Sequence, residues 1–180
     1  DSTVTNLCSG NVSVTVTDNE GCVRFANVAI LEPNVLTSNP TNISPSCFGD
    51  TNGIAWVNLT GGTSPYIHSW DIQSSNDTIY NIGIGTYTDT IIDANGCLDT
   101  VSILVTQPNP LLSNIDSLNV NCNGDGNGMA WSLPTGGTVP YNYLWNDITT
   151  AVTDTVRGLT PGFFKVIVTD NNGCSDTDSV

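Results

Sequence analysis

Short runs in which apolar and polar residues alternate recur along the chain, and Gly, Asn, Asp or Pro bounds each run. In "NVSVTVTD", residues 11–18, Val12, Val14 and Val16 point to one side of an extended strand. The corresponding positions later in the chain are Tyr87, Asp89 and Ile91, and then Phe164, Val166 and Val168. Asp89 interrupts an otherwise apolar face. Because no segment has helical periodicity, the pattern predicts an all-β protein.

Tight turns join these runs into hairpins. "DNEG", "DANG" and "DNNG" follow the three alternating runs, and the glycine in each supplies the positive φ that such a turn needs. After the second turn, "VSILVTQP" forms the next predicted strand, with Val101, Ile103 and Val105 facing inward. Several short strands, with a turn about every 8–12 residues, predict a β-sandwich of the immunoglobulin-like (Ig-like) kind.

The chain repeats itself with a period of about 75 residues. "CFGDTNGIAWVNLTGGTSPY", residues 47–66, returns as "CNGDGNGMAWSLPTGGTVPY", residues 122–141, with thirteen of twenty residues identical. We therefore expect tandem Ig-like sandwich repeats. The expected units are the C-terminal part of a first repeat at residues 1–34, a complete repeat at 35–109, and a third repeat at 110–180 that is truncated in its last strand. This organisation predicts a segment of a longer array.

The charge of the chain narrows the classes of partner. Lys and Arg number 3 against 17 Asp and Glu, which gives a formal charge of −14. Such a surface repels nucleic acid and anionic lipid, so we expect neither as a partner. No apolar run approaches the roughly 18 residues that a membrane helix needs, so we expect no direct membrane insertion.

Six cysteines in so acidic a chain, without a C-x-x-C pair, indicate an oxidising and therefore extracellular location. In each of the two later repeats, a pair of cysteines brackets most of the unit. The predicted disulfides are accordingly Cys47–Cys97 and Cys122–Cys174. Cys22 occupies the second position of the pattern, so its partner is expected upstream of residue 1. Cys8 lies outside the pattern.

Four tryptophans and one histidine are the conspicuous ring side chains. His68 corresponds to Tyr143 in the next repeat, so a packing role is favoured over a ligand role. Trp70 and Trp145 resemble the buried tryptophan of an Ig-type strand. Trp56 and Trp131 occupy corresponding positions, and in the strand of Trp56 the alternate face, with Ala55, Val57 and Leu59, is also apolar. Packing in the core or between units is expected for Trp56 and Trp131, and sugar stacking is the alternative.

The sequence contains no complete motif for a metal site or a catalytic site. "GDTNG" and "GDGNG" resemble the start of a calcium loop, with Asp50, Asn52, Asp125 and Asn127 as possible oxygen ligands. The closing acidic ligand is missing from both, so plain turns are expected and Ca²⁺ binding stays open. No Ser-His-Asp arrangement or recurring carboxylate pair occurs, so we expect no catalytic residues and no cofactor.

The repeated motifs resemble a known family. C-x-G-D-x-N-G, then T-G-G-T-x-P-Y, then Trp, then G-x-(Y/F) and D-x-x-G-C, ending in Q-P, is similar to the SprB repeat. That family is named for a large cell-surface gliding adhesin of the Bacteroidota. The resemblance implies long extracellular arrays that are exported by the type 9 secretion system, held at the cell surface and associated with gliding motility. It implies no catalytic residues.

A second pattern points to the same lineage. Asp followed by Ser or Thr and then an aliphatic residue or Thr resembles the general O-glycosylation site of Bacteroidota. The candidate acceptors are Ser2, Thr78, Thr90, Thr100, Ser117, Thr155 and Ser179. Strand parity places Thr90 and Thr100 on an outward face. The alternative is that Thr-rich strands produce such triplets without any sugar.

These observations predict a non-enzymatic, structural or adhesive repeat segment of a long extracellular cell-surface fibre. The expected partners are neighbouring repeats of the same chain or fibre, together with surface polysaccharide or other adhesin chains. One alternative is a carbohydrate-binding or stalk module that uses Trp56 and Trp131. Another is a filament subunit in which incomplete units complete each other between chains by strand addition.

Overall fold

The computed structural model describes residues 3–122, 124–146 and 151–180, which form fourteen strands and no helix. The prediction of an all-β protein is confirmed. The strands pair in five small antiparallel sheets, one of two strands and four of three strands. The part of the chain that the structure describes holds no helix with the length and apolar character needed to cross a membrane.

The first 34 residues contribute one hairpin. Strands β1 (Gly10–Thr17) and β2 (Val23–Ile30) pair along their whole length, from Gly10 opposite Ile30 to Thr17 opposite Val23. No third strand joins this sheet among the described residues, so the valines of β1 remain largely uncovered. Val14 and Val16 are 52% and 60% exposed. The apolar face predicted for this strand therefore forms without a core behind it.

The next six strands make up what we call the first module. They are β3 (Thr37–Ile43), β4 (Gly53–Thr60), β5 (Ile67–Trp70), β6 (Thr78–Ile82), β7 (Gly85–Ile92) and β8 (Leu98–Val105). One sheet has the order β3-β4-β6 and the other β5-β7-β8. Both sheets supply inward side chains to a single core, because alternate residues of each strand face the same way.

That core agrees with the predicted inward face of β8. Ile103 and Val105 are buried, and Val101 packs against the same cluster. Trp70 is also part of it, as expected from its place on β5. The remaining buried members are Leu36, Ala55, Val57, Ile79, Ile82 and Ile91.

The second module repeats this arrangement. Its strands are β9 (Ile115–Leu118), β10 (Gly128–Ser132), β11 (Asn142–Trp145), β12 (Thr155–Leu159), β13 (Lys165–Thr169) and β14 (Ser175–Ser179). The sheets have the orders β12-β10-β9 and β11-β13-β14. Trp145, Val166 and Val168 lie at the centre of a second core and are at most 1% exposed.

Each module has two distinct ends. The loop end holds the loop before β4 or β10 that carries Cys47 or Cys122. The turn end holds the turn after β7 or β13, with Cys97 or Cys174, and the T-G-G-T segment. Strands β4 and β7 both run from the loop end to the turn end, since β4 begins opposite the end of β6, immediately before β7.

The predicted disulfides Cys47–Cys97 and Cys122–Cys174 are wrong. The two cysteines of each predicted pair lie at opposite ends of a module, and the eight residues of β7 alone span about 26 Å. The Cα atoms of a disulfide are only about 5.5–6 Å apart. Cys97 and Cys122 are free and exposed, and so are Cys8 and Cys22.

Candidate functional site

The loop end of the first module meets the turn end of the second. Cys47 and Cys174 form a disulfide there, with their Cα atoms 5.6 Å apart and a sequence separation of 127. It is the one disulfide among the described residues. We call this contact region the joint. The bond links two modules to each other, whereas the sequence predicted one bond inside each.

A hydrogen bond beside the disulfide also crosses the joint. The Asn172 side-chain amide donates to the carbonyl oxygen of Ser46 at 3.0 Å. The same amide nitrogen lies 3.1 Å from the Thr138 hydroxyl of its own module, which holds the side chain in place. Ser46 and Asn172 are each close to a bonded cysteine, so the disulfide and the hydrogen bond hold the same loop against the same turn.

The linker between the modules is tied to both sides of the joint. The Gln107 side-chain oxygen accepts the backbone N–H of Gly49 in the first module at 2.9 Å. The carbonyl of Asn109 accepts the N–H of Gly137 in the second module at 3.0 Å. Pro108 and Pro110 flank Asn109 and stiffen the connection, because proline restricts the backbone to extended conformations.

The turn that presents Cys174 is organised by the buried carboxylate of Asp170. Its oxygens accept the backbone N–H groups of Thr138 at 2.8 Å, Asn172 at 2.9 Å and Cys174 at 2.8 Å. Three such bonds satisfy a carboxylate that is only 2% exposed. The turn is therefore a rigid support for the cysteine.

Asp93 does the same in the first module. Its carboxylate accepts the N–H groups of Thr63 and Asn95 at 2.9 Å and that of Cys97 at 2.8 Å. Burial acts to raise the pKa of Asp93, but these donors outweigh it and hold that pKa below its ordinary value of 3.8. The carboxylate is therefore charged at neutral pH, and Cys97 is held in a turn like that of Cys174.

The two candidate sugar-stacking tryptophans occupy equivalent places. Trp56 on β4 and Trp131 on β10 are half-buried and alternate with the core residues of their strands, so they face outward from the sheet. Trp56 lies directly opposite Thr78, and Trp131 lies directly opposite Thr155. Side chains at directly opposed positions contact each other. Each tryptophan thus neighbours a candidate O-glycosylation residue.

The other candidate acceptors lie on strands with different degrees of exposure. Thr100 and Ser179 are exposed, while Thr90 and Ser117 are half-buried. Thr90 and Thr100 are cross-strand partners whose hydroxyl oxygens are 3.5 Å apart. Ser2 lies outside the described residues. Asp89, which precedes Thr90 on β7, is 0% exposed and faces the core. Successive strand residues face opposite sides, so Thr90 and its partner Thr100 lie on the outer face.

The loop with the partial calcium motif uses its own side chains for turn hydrogen bonds. The Asn52 side-chain oxygen accepts the N–H of Ser46 at 3.0 Å, and its amide donates to the Ser46 hydroxyl at 2.6 Å. In the second module the Asn127 oxygen accepts the N–H of Asn121, and its amide lies 3.3 Å from Asp125. Among the described residues no group of three or more His, Cys, Asp or Glu side chains is arranged to hold a metal ion.

The family model for the SprB repeat matches residues 37–72 and 114–150. The chain carries two SprB repeats. The first match covers β3 to β5 and the second β9 to β11. The search of curated proteins returned no match. SprB repeats are typically non-catalytic adhesin repeats, and together with a disulfide they point to a surface protein.

One buried imidazole–carboxyl contact in the first SprB repeat module was missed by sequence reasoning. His68 Nδ1 lies 2.6 Å from Asp89 Oδ2, and the other oxygen of Asp89 accepts the N–H of Ser69 at 3.0 Å. Asp89 is fully buried and His68 is 8% exposed. The second module has Tyr143 and Val166 at these positions. The signal was present, since the two residues change together between the repeats.

One cleft lies at the loop end of the second SprB repeat module. It has a volume of about 290 Å³, and its lining combines apolar side chains such as Leu118, Met129 and Phe164 with the polar residues Ser117, Asn119 and Thr160. No Asp, Glu, His or Lys is among its lining residues in the described part of the chain. A nucleophile or general base would therefore find no titratable partner there.

Proposed function

We propose that this chain is a non-enzymatic, structural and adhesive segment of a long extracellular cell-surface fibre. The observation that carries the proposal is the end-to-end joint between two modules that each contain an SprB repeat. A disulfide, an amide–carbonyl hydrogen bond and a proline-stiffened linker hold it together. Modules connected in this way transmit tension along the fibre while each contacts only its neighbours.

Each module is proposed to be an Ig-like β-sandwich, and the chain to comprise units at residues 1–34, 35–109 and 110–180. Two three-stranded sheets with one shared core support this architecture. Trp70 and Trp145 are buried at equivalent positions, and their indole N–H groups donate to Asn76 O and Thr153 O at 2.8 Å. A buried strand tryptophan is a feature of Ig-type sandwiches.

The net charge of the chain and its SprB repeats support proposals about the solubility, modification, export and partners of the fibre. A formal charge of −14 keeps neighbouring fibres apart and soluble. We propose O-glycans on the outward Thr and Ser residues, export by the type 9 secretion system and a role in gliding adhesion. The partners are adjacent repeats, surface polysaccharide and other adhesin chains, which many weak contacts along an array would bind with high avidity.

Surface labelling tests the proposal. Antibodies raised against the purified chain are applied to intact cells of the source organism and to permeabilised cells. We expect labelling of intact cells along thin filaments, with an antibody to a cytoplasmic protein as the negative control. Labelling that requires permeabilisation would contradict an extracellular fibre.

Polysaccharide binding through Trp56 and Trp131 is the second candidate. It is favoured by the equivalent outward positions of the two indoles, since exposed aromatic rings stack on sugars. Affinity electrophoresis in polysaccharide gels compares the wild type with W56A/W131A. The control is Phe163→Ala, which removes an 86% exposed aromatic ring elsewhere. Equal retardation of all three proteins would reject this candidate.

Polymerisation by strand addition has less support. It requires a sheet with a vacant edge position that a strand of another chain would fill. The two-stranded β1–β2 sheet offers such an edge among the described residues. In the second module, however, β14 already pairs with β13, from Lys165 opposite Ser179 to Thr169 opposite Ser175, so that module lacks the matching vacancy that mutual completion requires. We therefore do not adopt this alternative.

A further inference from the structure

The loop half of the joint occurs twice in the chain, and the turn half occurs in both modules and also, with Cys22, in the β1–β2 hairpin. The loop end of the first module supplies Cys47, and the turn end of the second supplies Cys174. The loop end of the second module, with Cys122, and the turn end of the first module, with Cys97, have no partner among the described residues, and both thiols are free and exposed. The free Cys122 loop corresponds to the bonded Cys47 loop, and the free Cys97 turn corresponds to the bonded Cys174 turn.

The free loop end has the same internal hydrogen bonds as the joined one. Around Cys47, Asp50 N donates to Cys47 O at 3.2 Å and Ser46 N donates to the Asn52 side chain at 3.0 Å. Around Cys122, the corresponding distances are 3.1 Å from Asp125 N to Cys122 O and 3.2 Å from Asn121 N to Asn127 Oδ1. Both loops are thus closed in the same way, although only the Cys47 loop carries a bond to another module.

The free turn end also matches the joined one. Cys97 N and Cys174 N each donate to the aspartate of their turn at 2.8 Å. The amide of Asn95 is anchored on the Thr63 hydroxyl at 2.8 Å, as that of Asn172 is on Thr138 at 3.1 Å. Asn172 is the residue that also donates across the joint. Asn95 is held ready for the same contact.

We propose that the Cys122 loop end and the Cys97 turn end are the open halves of a repeating joint, and that each takes the complementary end of another SprB repeat module. Every loop cysteine would then be bonded to the turn cysteine of the following module. This inference goes beyond the proposed function, because it concerns how modules assemble and holds whatever the fibre adheres to.

The chemistry is a thiol–disulfide exchange. Cys97 and Cys122 lose two protons and two electrons as their sulfur–sulfur bond forms. A disulfide oxidant, of the low-molecular-weight or oxidoreductase class, accepts the electrons and is reduced to two thiols. Docking of the two ends precedes the bond. In the docked pair, Asn95 of one copy would donate to the carbonyl of Asn121 of the other, as Asn172 donates to that of Ser46.

A mixing experiment with two copies of this chain tests the proposal. The starting protein carries Cys8→Ser and Cys22→Ser and keeps its native Cys47–Cys174 bond. One variant adds Cys97→Ser, so that only Cys122 is free, and the other adds Cys122→Ser, so that only Cys97 is free. Each is treated with oxidised glutathione, alone and as an equal mixture, and is analysed by non-reducing electrophoresis and peptide mass mapping.

We expect each variant alone to remain monomeric and the mixture to form a dimer linked through Cys122 and Cys97. Relative to either like-with-like dimer, the mixed dimer should be enriched roughly tenfold, as a docking preference of about 1.4 kcal/mol produces. Asn95→Ala should reduce this enrichment, whereas Asn58→Ala, an exposed amide in the middle of β4, should leave it unchanged.

Two results would overturn the proposal. Dimers that form as readily within each variant as in the mixture would mean that the thiols react without recognition. A mixture that stays monomeric would mean that the free ends do not dock. Neither result would affect the surface-labelling experiment, so failure of this inference is distinguishable from failure of the proposed function.

Discussion

One pair of residues gives the core of the first module a buried imidazole–carboxyl contact that the second module lacks. His68 and Asp89 form a buried contact at 2.6 Å, and Tyr143 and Val166 take their places in the second module. Burial, with further contributions from Asp154 and Tyr141, raises the pKa of Tyr143 above its ordinary value of 10.0. The second module therefore holds an uncharged phenol where the first has an ionisable pair.

Asp89→Val should destabilise the protein by about 3 kcal/mol, because it leaves the buried imidazole without its acceptor. The double variant H68Y/D89V reproduces the pair found in the second module and should recover more than half of that loss. Chemical denaturation of the wild type, the two single variants and the double variant measures the coupling. Strictly additive single effects would contradict this account.

Two equivalent serines provide a second comparison at this scale. Ser113 donates both its N–H, at 2.7 Å, and its hydroxyl, at 2.8 Å, to the carboxylate of Asp176. The Ser38 hydroxyl is buried and has no hydrogen-bond partner among the described residues. Burial acts to raise the pKa of Asp176, but the donors of Ser113 lower it below 3.8 overall.

Ser113→Ala should lower the free energy of unfolding by about 1 kcal/mol at neutral pH, because a hydrogen bond to a charged acceptor is lost. Ser38→Ala should change it by less than about 0.5 kcal/mol. Because the folded pKa of Asp176 is depressed, its contribution is present above pH 3.8 and is lost as the pH falls through the folded pKa. The effect of Ser113→Ala should shrink over that interval in denaturation curves measured at acid pH.

At the scale of elements, the T-G-G-T turns position the chain that enters each module. Gly61 has φ +71° and Gly136 has φ +72°, a region that side chains rarely adopt. A Cβ on Gly61 would overlap the carbonyl oxygen of Val35, and one on Gly136 would overlap that of Pro110. The repeated glycines therefore allow the incoming linker to lie directly against the turn.

Gly61→Ala and Gly136→Ala should each cost more than about 2 kcal/mol, because backbone strain and overlap with the linker act together. The matched control is Gly96→Ala, with φ +82° and no atom within 4 Å of the added Cβ. It should cost about 1–2 kcal/mol from backbone strain alone. Thermal or chemical denaturation ranks the three. A control as damaging as the other two would remove the argument from close approach.

At the scale of the whole molecule, the joint determines how far one module can move relative to the other. The disulfide spans 127 positions, and closing a loop of that length contributes about 5 kcal/mol in the chain-entropy account. The hydrogen bond from Asn172 to Ser46 and the linker remain when the disulfide is cut. Those contacts are few, so the covalent bond is the main restraint.

Cys47→Ser and Cys174→Ser should each broaden the distribution of maximum dimensions in small-angle X-ray scattering and lower the stability to denaturant by up to about 5 kcal/mol. Cys97→Ser and Cys122→Ser remove thiols that are free and exposed, so both should match the wild type. Non-reducing peptide mapping of the wild type should recover a Cys47–Cys174 peptide. A Cys47–Cys97 peptide would contradict the joint.

Local structure follows from short stretches of the sequence. Alternation in β1, β7 and β13 and the D-x-x-G turns depend on neighbouring residues only, so strands and hairpins could be predicted. The period of about 75 residues likewise identified the repeats and their family. Trp70 and the inward face of β8 followed from parity, because one face of a paired strand must be buried.

Which distant groups meet depends instead on how the strands and modules are arranged in space. Cys47 and Cys97 were paired in the prediction because they bracket a repeat, but strand direction carries them to opposite ends of the module. Cys47 meets Cys174 because the modules stack loop end to turn end, an arrangement that strand periodicity does not encode. The burial of Asp89 likewise depends on residues far from it in the sequence. Its place in the core depends on His68 from the neighbouring strand, and a buried carboxylate is stable only with such partners.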